Sequence, residues 1–313
     1  MIKVIFMATP DISVKSLDAL NNSDEFEVVA VVTQCDKPAG RGNKIQASPV
    51  KRYAIEHGIK VFQPVSIRKD LQAQAELKAL EPDYLLTFAF GQILSREVLD
   101  IPRIATINLH ASLLPKYRGA NPIQRALING DKETGICTMI TEEGLDSGDV
   151  CLCEKIEIDE DMNFEQLHDS IADLAPELIK KTLVELKNCN LTPQKQDESL
   201  VTVAKKLQKE EEEIDFSKSA REIHNLVRGI CKCPSASFYF GDKKIKVLKT
   251  SVLDDLTEFN EAGKVLKIST CGMEISTGKG TLLLITVKPE SKGEMAAQAW
   301  VNGAKIKVGD KLI

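Results

Sequence analysis

Ile104-Ala105-Thr106-Ile107-Asn108-Leu109-His110 is the stretch from which the fold is read. Its first four residues are apolar or β-branched, the composition of a strand buried in a sheet. Asn108 and His110 stand two apart, so on a strand they share a face and emerge together where it ends. Ligands of open α/β sheets bind at the carboxyl ends of strands. An amide donor beside an imidazole suits a carbonyl oxygen that becomes an oxyanion. An isolated Asn-x-His is more often a polar strand end that bonds only to its own loop or to solvent. Beyond it, Ala111-Ser112-Leu113-Leu114-Pro115-Lys116-Tyr117-Arg118-Gly119 leaves regular structure. Pro115 stops it, and Gly119 permits an unusual turn.

Working outward, residues 3–7 read as a first strand, 13–21 as a helix and 27–33 as a second strand. Strand, helix, strand opens a parallel, doubly wound sheet. The first turn, Ala8-Thr9-Pro10-Asp11, has no G-x-G-x-x-G, so a dinucleotide is not indicated. Residues 34–48 form a long basic loop with Lys37, Arg41 and Lys44, too polar to pack a core. It is either a plain surface excursion or a basic finger that orders on phosphates. Helices are expected at 49–57, with Pro49 at the first position, at 71–80 and at 122–130; strands at 83–87, 137–140 and 150–158. Between the last two strands lies Gly144-Leu145-Asp146-Ser147-Gly148-Asp149. A hydrolase elbow G-x-S-x-G would need serine where Asp146 stands, which excludes it. Asn163 and Gln166 fit a capping box opening a long amphipathic helix over 164–187.

Residues 188–204 are polar and patternless and read as a linker. Ser219 and Glu222 fit a second capping box. Five β-rich runs follow, at 235–240, 243–252, 263–269, 273–277 and 281–287, the layout of a small Greek-key barrel of OB type.

At 313 residues the chain is long enough for two domains. It carries 41 basic and 46 acidic residues, and its C-terminal part is the more basic, which weakly favours an anionic partner there. It opens on a strand rather than on a charged leader, no run is long enough to cross a membrane, and eight cysteines are too few for a disulfide scaffold. A reducing cytoplasm is the expected setting. Cys151-x-Cys153 and Cys231-x-Cys233 lack the spacing of zinc ligands, so no metal site is expected.

Residues 108–126, Asn-Leu-His-Ala-Ser-Leu-Leu-Pro-Lys-Tyr-Arg-Gly-Ala-Asn-Pro-Ile-Gln-Arg-Ala, resemble the signature of the formyltransferases that use 10-formyltetrahydrofolate. The Asp146 loop resembles that family's second catalytic segment. Ala8-Thr9-Pro10-Asp11, Lys37-Pro38-Ala39-Gly40-Arg41-Gly42 and the layout of the C-terminal half are similar to the branch that acts on charged initiator tRNA. Ala8 stands where that family usually has glycine, and Cys231-Lys232-Cys233-Pro234 replaces a turn that usually contains Trp-Pro.

The resemblance implies an α/β fold: a doubly wound, mostly parallel, Rossmann-like sheet followed by a small OB-like β-barrel. It implies a catalytic domain over 1–187, a linker over 188–204 and a tRNA-binding domain over 205–313. It implies folate contacts from Phe88, Ala89, Phe90, Gly91, Gln92, Ile93 and Leu94, the first seven wrapping the pterin ring, and from Ser112, Leu113, Leu114 and Pro115. Lys37, Arg41 and Lys44 would meet the acceptor end of the tRNA. Partners would be charged initiator tRNA and the folate co-substrate, with no metal and no membrane, and a monomer is expected.

Formyl transfer moves an acyl group from one nitrogen to another and needs neither metal nor covalent nucleophile. Asn108 and His110 would donate to the oxyanion, a stabilisation of about 3–4 kcal/mol per donor. Asp146 would orient His110 and hold a water that relays the proton of the attacking amine. Two alternatives stay open: transfer to a small amine such as an amino sugar or purine ribotide, and a non-enzymatic RNA-binding module. The module leaves the Asn108, His110 and Asp146 combination without a purpose.

Overall fold

The computed structural model describes residues 1–39, 44–232 and 234–312. The chain divides into two compact units. The first holds Met1–Gly119, Thr134–Ile156 and His168–Val203; the second holds Ala120–Glu133, Glu157–Leu167 and Ala204–Ile313.

In chain order the elements begin with β1 (Ile2–Ala8), α1 (Val14–Asn21), β2 (Phe26–Val32), β3 (Lys37–Ala39), β4 (Lys44–Gln46), α2 (Pro49–Glu56), β5 (Val61–Phe62) and α3 (Leu71–Lys78). Then come β6 (Tyr84–Phe88), α4 (Arg96–Leu99), β7 (Ala105–His110), β8 (Arg118–Gly119), α5 (Pro122–Ile128), β9 (Glu133–Ile140), β10 (Val150–Glu157) and α6 (Phe164–Lys187).

The first unit is built on one seven-stranded sheet, in the order β10-β9-β7-β6-β1-β2-β5. The pairs β1–β2, β1–β6, β6–β7 and β2–β5 are parallel, and β7–β9 is antiparallel. This is the expected doubly wound, mostly parallel sheet. Its interior strand β1 shows why: Val4, Ile5, Phe6, Met7 and Ala8 are all fully buried, the continuous apolar run of a strand covered on both faces. The β6–β7 register sets Thr87 opposite Asn108 and Phe88 opposite Leu109, so these strands end side by side. Helix starts follow the sequence. Ser48 accepts the Lys51 N–H at 3.1 Å ahead of Pro49. Asn163 and Gln166 exchange hydrogen bonds of 2.9 and 3.1 Å before α6.

Three expectations need revision. Residues 34–48 are not all loop: β3 and β4 pair antiparallel, Lys37 opposite Gln46 and Pro38 opposite Ile45. Backbone pairing supplies order there without an apolar core, which is why no periodic pattern announced it. Residues 188–204 are well bonded rather than loose. Gln194 and Val150 exchange both backbone hydrogen bonds at 2.8 Å, and a 3-10 turn at Glu198–Leu200 is capped by Asp197. Finally, Cys137 and Cys153 form a disulfide where β9 and β10 bring their Cα atoms to 4.1 Å. Cys153 therefore has no thiolate to give a metal, and burial pushes the Cys151 thiol up to about 12. Cys233 lies outside the described residues.

After the two-residue β11 (Val203–Ala204), the second unit adds α7 (Ala220–Gly229), β12 (Ser237–Phe240), β13 (Lys243–Glu258), β14 (Val265–Ser269), β15 (Gly272–Ser276), β16 (Lys279–Pro289), β17 (Met295–Ala296) and α8 (Ala297–Ala304). Its sheet runs β12-β13-β16-β15-β14, with β17 on β16, and the described ladders are antiparallel. All five β-rich runs became strands. A ladder joining β14 to β12 is not among the described pairings. The core gathers Phe216, Phe238 and Trp300, with edge-to-face ring pairs at 5.6 and 5.9 Å. Helix α5 belongs to this unit. Gly229 of α7 lies so near α5 that a Cβ would sit 2.8 Å from Ile128 Cγ1, and Arg125 forks onto Glu211 at 2.6 and 3.0 Å. Among the described residues, no helix is long and apolar enough to cross a membrane.

Strand β12 offers a test of this packing. Phe238 is fully buried and Tyr239 is 42% exposed. Phe238→Ala should cost about 3–5 kcal/mol in urea unfolding. Tyr239→Ala should stay within about 0.5 kcal/mol. A large loss at Tyr239 with a small one at Phe238 would mean that the strand's register is one residue off.

Candidate active site

β7 delivers the Asn108 and His110 side chains to the carboxyl edge of the parallel sheet, beside the end of β6. Neither is free to turn. The Thr87 hydroxyl donates to Asn108 Oδ1 at 2.7 Å, so the amide Nδ2 must face the other way. There it lies 3.4 Å from Asp146 Oδ1. His110 is buried, and its Nε2 is 2.8 Å from the Tyr117 carbonyl. A carbonyl only accepts, so Nε2 carries the proton. Nδ1 is then the nitrogen turned to Asp146, 3.6 Å from Oδ2.

Asp146 sits on the loop between β9 and β10 with φ +47, the left-handed region. That conformation costs an L-residue about 1–2 kcal/mol, and aspartate tolerates it better than most. The Gly119 N–H donates to Oδ2 at 2.8 Å. Gly148 lets the loop close: a Cβ there would fall 1.9 Å from the Ile140 carbonyl oxygen. One carboxylate thus receives a backbone N–H, an amide and the edge of an imidazole. Asn108, His110 and Asp146, proposed together from sequence, do converge.

The segment after β6 is shaped differently from what its apolar composition suggests. Phe88 and Phe90 are buried, and Phe90 joins the core beneath the sheet. Ala89 and Gly91 have φ +51 and +78 and are exposed, and Ile93 is 72% exposed. A Cβ on Gly91 would lie 2.3 Å from Gln34 Nε2, which donates to the carbonyls of Phe90 and Gly91 at 2.9 and 3.3 Å. Gln92 is engaged internally, accepting from Ile67 N–H at 2.8 Å and donating to the Pro64 carbonyl at 3.1 Å. Leu94 packs on the core. Alternate residues therefore anchor the turn, and Ala89, Gly91 and Ile93 are left as its outer surface. Ser112 is buried and donates to the Lys116 carbonyl at 2.6 Å, bracing the turn through Leu113, Leu114 and Pro115, which are half-buried.

Of the basic positions, Lys37 is exposed and its Nζ donates to Gln34 Oε1, the other end of the amide that holds Phe90 and Gly91. The backbone of Lys44 lies in β4. Arg41 lies outside the described residues.

Sequence reading missed Thr87, Gln34, Tyr117, Gln196 and Arg118. Gln196 Nε2 donates to the carbonyls of both Asp146 and Gly148 at 2.8 Å. Its Oε1 accepts from Arg118 Nε at 3.0 Å, and Arg118 forks onto Glu198 at 2.8 and 3.3 Å. A threonine at a strand end and a glutamine in a polar segment carry no pattern that marks such work.

Comparison with known proteins gives the family. A family model described as formyl transferase matches residues 2–183, and one described as formyl transferase, C-terminal domain, matches residues 206–305. A protein of Clostridium perfringens named methionyl-tRNA formyltransferase is 43% identical over 311 residues, covering 99% of both chains. Its namesake from Clostridioides difficile is 42% identical, covering 98% of both. Among solved structures, an N-formyltransferase of Helicobacter canadensis, in complex with folinic acid and dTDP-3-aminofucose, superposes with a TM-score of 0.68. It is 21% identical and covers 91% of this chain and 99% of its own, a likeness of fold. On the strength of both family models and of near full-length identity above 40%, the chain belongs to the formyl transferase family.

Proposed function

We propose that this chain transfers the formyl group of 10-formyltetrahydrofolate to the α-amino group of methionyl initiator tRNA. One observation carries the reading: an amide N–H, an imidazole and a carboxylate meet at the carboxyl edge of a parallel sheet. Each is held by a hydrogen bond that fixes its orientation. Such fixed donors suit a reaction in which negative charge appears on a carbonyl oxygen, since no reorganisation is needed when it does. The tRNA acceptor is supported by the relatives at 42–43% identity, whose shared name specifies it.

In this reading the amine nitrogen attacks the formyl carbon, and the carbonyl π pair moves to oxygen. Asn108 Nδ2 and a protonated His110 Nδ1 donate to that oxygen. Asp146, directly or through a water, takes the proton that the attacking nitrogen sheds. The electron pair of the old C–N bond then leaves with the folate nitrogen, which picks the proton up. The Ala89, Gly91 and Ile93 surface would take the pterin, with Ser112, Leu113, Leu114 and Pro115 bounding it. Lys37, Arg41 and Lys44 would take phosphates of the acceptor end.

Asn108→Ala, His110→Ala and Asp146→Ala should each lower formyl transfer at least about a hundredfold, the scale of a lost oxyanion donor or proton carrier. Steady-state assay with charged methionyl-tRNA checks this, with circular dichroism reporting the fold. Turnover at the wild-type rate would remove that residue from the mechanism. Arg41→Ala should strongly lower transfer to charged tRNA. It should leave folate binding within about twofold, because surface changes away from a site rarely exceed about 0.5 kcal/mol. The tRNA step should also weaken as salt rises, through release of counterions. An Arg41→Ala protein that formylates tRNA normally would refute the finger, and efficient use of a sugar amine or purine ribotide would move the acceptor to a small amine.

A further inference from the structure

Gln196 stands half-buried in the polar segment after α6, between the exposed neighbours Lys195 and Asp197. All of its side-chain hydrogen-bonding capacity but one lone pair is spent. Arg118 offers only donors, so Gln196 Oε1 must face Arg118 Nε. That leaves both protons of Nε2 for the carbonyls of Asp146 and Gly148. Arg118 is itself held: its side chain is 9% exposed and its fork is filled by Glu198. The same stretch of chain reaches Asp146 by a second route, since the Gly119 N–H, next to Arg118, donates to the carboxylate. The loop is thus gripped twice, at its backbone by Gln196 and at its side chain by Gly119. The grip on the backbone falls on the residue with φ +47 and on the glycine two positions later.

We propose that Gln196 is a positioning residue for formyl transfer: its amide, oriented by Arg118, fixes the backbone of the Asp146 loop and so aims the carboxylate at His110 and at the attacking amine. The proposal rests on the reading of Asp146 as a group that acts on substrate. It differs from a plain structural tie in what it predicts. Misplacing a reacting group by about 1 Å costs up to about a hundredfold in rate and leaves substrate binding alone. The loss also vanishes when there is no carboxylate left to aim.

The test uses the full-length protein, 10-formyltetrahydrofolate and charged methionyl-tRNA. Gln196→Met keeps the length of the side chain and removes its hydrogen bonds. Gln196→Glu keeps the acceptor for Arg118 and puts an oxygen, in place of both donors, against the two carbonyls. Both should lower kcat at least about tenfold, with KM for the folate within about twofold. Added to Asp146→Ala, Gln196→Met should lower single-turnover rates by less than about twofold further. Wild-type kcat in both Gln196 variants beside an impaired Asp146→Ala overturns the positioning role and leaves Asp146 in place. So does an equal fold-loss in the two backgrounds. A fully active Asp146→Ala overturns the reading of Asp146 itself, and the positioning role falls with it. Should Gln196→Met fail to fold, Gln196→Glu, alone and with Asp146→Ala, decides by the same criteria.

Discussion

A carboxylate can be aimed only as well as the backbone beneath it, and Asp146 stands on a backbone that an L-residue rarely adopts. Left to itself, a loop of that kind samples several conformations. Here it is over-determined by hydrogen bonds drawn from separate segments of the chain: Asn108 on β7, Gly119 on β8 and Gln196 after α6. Both side-chain partners are in turn fixed by one further group, Thr87 for Asn108 and Arg118 for Gln196. The sheet makes this possible. Parallel strands with fully buried interiors end at one edge, so residues far apart in sequence arrive within hydrogen-bond reach.

The same economy shapes the segment after β6. Gln34 binds two of its carbonyls and Lys37 holds the far end of Gln34, so the basic hairpin and the exposed turn after β6 share one amide. A family of acyl transferases that varies its acceptor can keep such a surface and alter what surrounds it, because the chemistry asks only for oriented donors.

What the sequence made legible follows physical periodicity. Mostly apolar runs gave β1, β2 and β6, β-rich runs at regular intervals gave the C-terminal strands, and paired caps gave the starts of α6 and α7. Asn108, His110 and Asp146 were singled out because the segments that carry them resemble those of a known family, and the structure brings the three side chains together. Thr87, Gln34, Gln196 and Arg118 were not. Their work is to hydrogen-bond groups distant in sequence, and no spacing encodes a partner 50 or 78 residues away. Residues 188–204 looked like a linker because every polar side chain there could equally have faced water. The β3–β4 hairpin was hidden since its backbone pairing leaves few traces in composition. The Cys137–Cys153 bond depended on which strands lie adjacent, a fact of topology.

Helix α5 lies in sequence between the strands of the first unit, yet it packs with α7 in the second, Ile128 against Gly229 and Arg125 on Glu211. The second unit is therefore assembled from three separate pieces of chain. A fragment beginning near Lys205 would carry α7 with one flank stripped, and would leave the Glu211 carboxylate without its guanidinium. The tail of this protein is not a cassette that recombination could lift out and graft onto another enzyme. Any exchange that preserved it would have to carry α5 along, and α5 follows directly on Gly119, whose N–H binds Asp146. Evolution of the C-terminal surface is thereby tethered, through an uninterrupted peptide, to the segment that binds the Asp146 carboxylate.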